Sequence, residues 1–326
     1  MKTHMSIHGA PNERSARSAT NGAMRAAAVA AVLALAIGAG ALTARAGTQI
    51  DRELKLAPGG RFLLQTFAGS VSVMGSDQSG VDVAITSTRD DIQRDVYFDF
   101  EASPGEAQVI AKTRNPWNFF FSGFYGDWLH YDVRVPKNTT VTILTSGGGI
   151  RAFAVTGDTT LRTSGGLIDA VQVNGNLRAF TSGGSIHANT IAGAAELGTS
   201  GGGIEANAID GPLRAHTSGG WIHINGVTGR VDVHTSGGSI EASLSKGDSN
   251  GGELSTSGGS ISLKVDPAAN LEIDASTSGG SVSSDLPLTE TGEFGRGNHA
   301  LHGTLGSGGA TLHLHTSGGS IRLSGL

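Results

Sequence analysis

Histidines and evenly spaced acids are the residues of this chain whose types and spacing could do chemistry. His216 and His234 stand 18 residues apart, His187 and His223 twice that distance, and His313 and His315 flank a single residue. Side by side, such imidazoles could share a metal ion. A metal site, however, needs three or four converging ligands with supporting hydrogen bonds, and neither series supplies them. Asp169, Glu205 and Glu241 recur every 36 residues. Acid–base or glycoside chemistry needs carboxylates paired on one wall, which is closer than this spacing allows. No nucleophile elbow, phosphate loop or calcium-binding nonapeptide repeat occurs either. No catalytic, metal or cofactor-binding residue is therefore assigned, and the chain reads as a non-enzyme.

The common period belongs to a repeat. Thr-Ser-Gly-Gly begins at Thr145, Thr163, Thr181, Thr199, Thr217 and Thr235, each 18 residues after the last. It returns at Thr256 and Thr277, 21 on each time, and again at Thr316. Aligning the units produces apolar columns. Ile150, Ile168, Ile186, Ile204, Ile222 and Ile240 form one, and Ala152, Ala170, Ala188 and Ala206 the next. Val155, Val173, Ile191, Ile209 and Val227 form a third, followed by the glycines 157, 175, 193, 211 and 229. Within a unit the apolar residues fall at period two, so each unit predicts strand, turn, strand, turn.

Such a pair cannot bury its inner face alone, but identical neighbours can cover it. The expected fold is all-β: a parallel β-solenoid, or β-helix, with coils of about 18 residues and an irregular N-terminal β cap. Turn glycines are expected where φ is positive or another backbone comes close. Alternation from Leu213 and Ala215 turns Thr217 inward and Ser218 outward. That argues against a flat Thr/Ser ice-binding face and for a buried threonine ladder bonded at the turn.

The 326 residues include 51 glycines and no cysteine, with a formal net charge of −5. No basic run or stripe suggests nucleic-acid binding. Arg25, an apolar run over 26–42 and Ala44-Arg45-Ala46 have the layout of a secretory signal peptide over residues 1–46, with Met24 as an alternative start. Whether the segment is cleaved or kept as an anchor stays open. Residues 47–144 read as an N-terminal β region, whose Thr66–Val73 is a degenerate first copy of the repeat. Residues 145–326 read as the regular solenoid, interrupted by a polar loop over Asp285–Thr304. Within that loop Leu286-Pro287-Leu288-Thr289-Glu290 resembles a sortase signal but lacks its glycine.

The amino-terminal region contains a loop carrying Trp117, Phe119, Phe120, Phe121, Phe124, Tyr125 and Trp128. These rings either fold back as a plug over the solenoid end or form an exposed patch for a glycan, a protein or a membrane interface. Trp221 is a lesser candidate contact, because its column otherwise holds Gly, Leu and Ser and so faces outward.

Val133-Arg134-Val135-Pro136, then Val141 to Ile150, then repeated Thr-Ser-Gly-Gly-Ser-Ile, resemble the bacterial putative-adhesin domain of unknown function, the β-strand-repeat envelope proteins. The resemblance runs from about Thr66 to Leu326 and transfers no catalytic residue. It implies an extracytoplasmic or membrane-associated β-solenoid, sometimes linked to envelope-stress sensing. The chain departs from that pattern in its aromatic loop. The expected function is that of an exported adhesin-like protein (periplasmic, cell-surface or secreted), without a cofactor, binding an envelope component, glycan or protein. A self-assembling scaffold resembling the bactofilin filaments is the alternative, and a polysaccharide-active β-helix enzyme the third.

Overall fold

The computed structural model describes residues 47–114, 128–244, 250–290 and 298–326. The amino-terminal region forms β1 (Thr48–Leu54), β2 (Arg61–Thr66), β3 (Ser70–Ser76), β4 (Val81–Ser87), β5 (Val96–Ala102), β6 (Glu106–Thr113) and β7 (Leu129–Pro136). Two strands per coil follow: β8 (Thr140–Thr145), β9 (Ile150–Phe153), β10 (Thr159–Arg162), β11 (Ile168–Val173), β12 (Leu177–Phe180), β13 (Ile186–Ile191) and β14 (Ala195–Thr199). The series continues with β15 (Ile204–Ile209), β16 (Leu213–Thr217), β17 (Ile222–Val227), β18 (Val231–Thr235), β19 (Ile240–Leu244), β20 (Gly252–Thr256) and β21 (Ile261–Val265). The last strands are β22 (Leu271–Thr277), β23 (Val282–Ser284), β24 (Thr289–Glu290), β25 (Ala300–Leu305), β26 (Ala310–Thr316) and β27 (Ile321–Gly325).

These strands build the expected parallel β-solenoid. Odd-numbered strands from β9 to β21 stack in one sheet and even-numbered strands from β8 to β20 in the facing one. Each step advances by one repeat, so Ile168 pairs with Ile186, Ile186 with Ile204, and Ile204 with Ile222. The Ile, Ala and Val columns of the sequence are all but fully buried. Every buried Ile or Leu contributes roughly 2 kcal/mol, and small Ala residues in the next column let the two walls close. The degenerate copy is a true coil: Thr66 pairs with Thr145 and Val71 with Ile150.

Gly157 combines a φ of 133° with close approach, whereas the turn glycines after it in the column serve close approach alone. A Cβ on Gly175 would lie 2.5 Å from the Gly157 carbonyl oxygen, and one on Gly184 only 2.0 Å from that of Gly166. The left-handed corner lies elsewhere, in a column the sequence does not announce. Ala154, Gln172, Thr190, Ala208 and Gly226 have φ between 52° and 70°, one per coil. Four of the five carry a side chain, because stacking leaves the coil no other way to turn there.

Both ends depart from stacking in chain order. The coil β26–β27, last in sequence, wedges between β20–β21 and β22–β23. At the other end the coil β6–β7 lies outside β2–β3. Antiparallel strands then finish each sheet: β4 and β1 beyond β7, β5 beyond β6, and β25 with β24 beyond β22. The span read as a polar loop over Asp285–Thr304 therefore carries two capping strands, with Leu286, Leu301 and Leu305 buried beneath them.

At the amino-terminal end Phe98 and Phe100 pack on the core, their rings 6.4 Å apart, with the Arg52 guanidinium 5.5 Å over Phe100. A charge on the inward side of an edge strand disfavours pairing with another chain. Very short β23 and β24 do the same at the far edge.

Candidate functional site

The Thr-Ser-Gly-Gly turns make one edge of the solenoid into a rigid track. Thr181 Oγ1 donates to the Gly166 carbonyl of the coil before it at 2.9 Å and accepts the Gly184 N–H at 3.3 Å. Thr199, Thr217 and Thr235 repeat the pair of bonds. The inward threonine ladder expected from parity is therefore present, each hydroxyl stapling two turns while it is buried.

The next column along the track faces outward. In spatial order it holds Gly149, Leu167, Ser185, Gly203, Trp221, Ser239, Ser260, Ser320 and Ser281. Ser239, Ser260 and Ser320 each accept the next coil's N–H through the hydroxyl oxygen at 3.2 Å. Trp221 is 48% exposed, as its column implied, and Leu167 is 40% exposed. Gly203 is buried beneath the indole. A Cβ there would stand 2.6 Å from Cε2 and 2.9 Å from Cδ2 of Trp221. The ring thus rests on bare backbone and turns its other face outward. The sequence signal for this pose is a third glycine, Gly203, one coil before the tryptophan.

Beside this track runs a charged column whose members are engaged with one another. Arg151 meets Asp169 at 3.1 Å, Asn207 donates to Glu205 at 2.9 Å, and Glu241 lies 3.5 Å from His223 and 3.3 Å from Lys264. Asp169, Glu205 and Glu241 do fall on alternate coils, with His187 and His223 between them.

On the opposite sheet His216 and His234 are register neighbours. The Phe180 and His216 rings close over Gly198 at 6.1 Å, Arg162 lies 4.5 Å over Phe180, and His234 Nδ1 is 3.0 Å from Ser255 Oγ. Among the described residues no group of three or more His, Cys, Asp or Glu is placed to hold a metal ion.

Of the aromatic-loop candidates, Trp117, Phe119, Phe120, Phe121, Phe124 and Tyr125 lie outside the described residues. Trp128 is described, and it is no surface contact. It is 6% exposed, its ring 6.4 Å from that of Phe67, with the Arg89 guanidinium 4.5 Å above it. Burial of a large indole against the turn of the neighbouring coil outweighs its place at the end of a loop. Because β6 pairs with β2 and β7 with β3, the strand ends that flank residues 115–127 border the turn joining β2 to β3. Arg114 and Trp128, which bound that segment, thus lie on the same edge as Trp221, six strand steps or about 29 Å away.

Compared with protein families, the chain matches the model of Toastrack DUF4097 over residues 63–324. The chain belongs to the Toastrack DUF4097 family. No curated protein matches it. Among solved structures it is similar to a putative cell adhesion protein from Clostridium sporogenes, at 9% identity over 86% of this chain and 100% of that one, with a TM-score of 0.24. A putative adhesin from Bacteroides fragilis matches at 13% identity, 85% and 97% coverage and a TM-score of 0.37. A putative lipid binding protein from Parabacteroides distasonis matches at 11% identity, 84% and 96% coverage and a TM-score of 0.30. Among the described residues of this Toastrack chain the exposed aromatic side chains are Tyr97, Phe153 and Trp221, of which Trp221 is the one in the outward column of the turn edge.

Proposed function

We propose that this Toastrack chain is an exported, non-enzymatic solenoid that binds a cell-envelope component, glycan or protein, through its turn edge. The observation that carries the reading is Trp221, a half-exposed indole laid flat on Gly203 along the turn edge. Exposed aromatic rings on a rigid support are what recognition surfaces use. Engagement of Asp169, Glu205 and Glu241 with neighbouring side chains supports binding over acid–base chemistry.

End-to-end assembly into a scaffold is the second reading. Antiparallel strands beyond both outermost coils support a self-contained molecule instead.

The test compares the full chain with a variant carrying Ser at Trp117, Phe119, Phe120, Phe121 and Trp221, leaving the buried Trp128 in place. Retention on isolated envelope fractions should be lost while the melting temperature stays within a few degrees. Undiminished retention would remove the turn edge as the contact. Sedimentation that grows with concentration would favour the scaffold. Export is checked by the amino terminus of the mature chain, expected at Gly47 in an extracytoplasmic fraction.

A further inference from the structure

Resting on the binding reading above, we infer that the Trp221 column is a subsite for a neutral, extended β-1,4-linked glycan lying along the solenoid axis. The indole has one face on Gly203 and the other open. An immobile ring with one free face suits the C–H face of a pyranose, and because the ring is held before binding, little ordering cost is added.

The next positions in the column are the exposed serines Ser239 and Ser260. Each hydroxyl oxygen already accepts a backbone N–H from the following coil. Each therefore keeps its own O–H as a donor to a ligand. Coils repeat at the inter-strand spacing of about 4.8 Å, close to the advance of an extended β-1,4-linked chain per sugar ring. One ring stacked on Trp221 thus brings its neighbours over Ser239 and Ser260 in turn. Glu205 and His223 flank the stacked ring from the adjacent column, where the carboxylate accepts from a sugar hydroxyl. Glu205 is hydrogen-bonded by the neutral amide of Asn207 and keeps its negative charge, while Glu241 pairs with Lys264, and the chain carries a formal net charge of −5. Both favour an uncharged glycan over an acidic one.

The experiment titrates the full chain with cellohexaose and with the hexamer of β-1,4-linked N-acetylglucosamine, by calorimetry and by tryptophan fluorescence. At least one of the two should bind the wild type. Trp221→Ala should bind at least tenfold more weakly, a loss of about 1.4 kcal/mol, and Trp221→Tyr should keep most of the affinity. Ser239→Ala with Ser260→Ala should give a smaller loss. All variants should melt within a few degrees of the wild type, since the altered side chains are exposed.

Failure of both hexasaccharides to bind, or equal binding by Trp221→Ala, would overturn the inference. Retention on envelope fractions is measured in parallel. If it depends on Trp221 while neither sugar binds or competes, the binding reading stands and the glycan assignment falls. Trp221-dependent binding to phosphatidylethanolamine vesicles without sugar binding would overturn it in favour of a lipid surface.

Discussion

The phenolic oxygen of Tyr131 lies 2.9 Å from Oγ1 of Thr66 and closes the threonine ladder at its amino-terminal end. The ladder position beyond Thr66 is Ala111, which has no hydroxyl to offer. Tyr131 occupies the isoleucine column of the facing sheet, opposite Val71, and reaches across the core to supply the missing group. It is 1% exposed.

Tyr131→Phe should cost about 1 kcal/mol, the net worth of one buried hydrogen bond, because Thr66 keeps its bonds to Ala68. The pH dependence is more telling. Burial pushes the phenol well above its ordinary pKa of 10.0, with the bond to Thr66 pulling weakly the other way. The folded state thus holds its proton after the unfolded chain has released it. Stability from this group is complete below pH 10 and falls as pH rises beyond it. Urea midpoints measured on both sides of that pH should decline more steeply for the wild type than for Tyr131→Phe.

Neighbouring glycines of one turn should respond to the same change with very different losses. A Cβ on Gly184 would sit 2.0 Å from the Gly166 oxygen, while one on Gly183 would sit 3.6 Å from the nearest atom. Gly184→Ala should lose about 3 kcal/mol or more, since two stacked backbones must separate. Gly183→Ala should change stability by less than about 0.5 kcal/mol. Chemical denaturation of the two variants decides between this and a turn in which both glycines matter for flexibility alone.

Thr199→Val tests the ladder itself. It leaves the Gly184 carbonyl and the Gly202 N–H without their partner. An orphaned buried polar group costs about 1–3 kcal/mol, so the melting temperature should drop by several degrees. Thr199→Ser keeps the hydroxyl and should recover most of the loss. Greater damage from Thr199→Ser than from Thr199→Val would mean that the methyl group, which only valine keeps, and not the bond, matters.

Backbone strain in the left-handed column gives a fourth test. Gly226 has a φ of 70°, and a Cβ there would meet nothing nearer than 3.9 Å. Gly226→Ala therefore isolates the conformational penalty, about 1–2 kcal/mol. Thr190, branched at Cβ with a φ of 61°, bears that penalty already. Thr190→Gly should stabilise by about 0.5–1 kcal/mol, the relief of strain exceeding the entropy lost by glycine. Denaturation midpoints moving in the reverse order would rule out strain as the cause.

The sequence alone determined the coil, its two strands and its inward columns. A solenoid buries the same positions in every repeat, so Ile168, Ala170 and Thr181 are each marked by their counterparts one period away. Outward parity of Trp221 followed from the same alternation. Tertiary structure decided everything that depends on which coil lies next to which. Each Thr-Ser-Gly-Gly face fits every other, so nothing local tells the coil of Thr316 to wedge between those of Thr256 and Thr277. Trp128 belonged to a loop by pattern, yet packing against Phe67 and Arg89 buried it. The pose of Trp221 was likewise settled one coil away, where Gly203 leaves the backbone bare and the indole comes to rest on it.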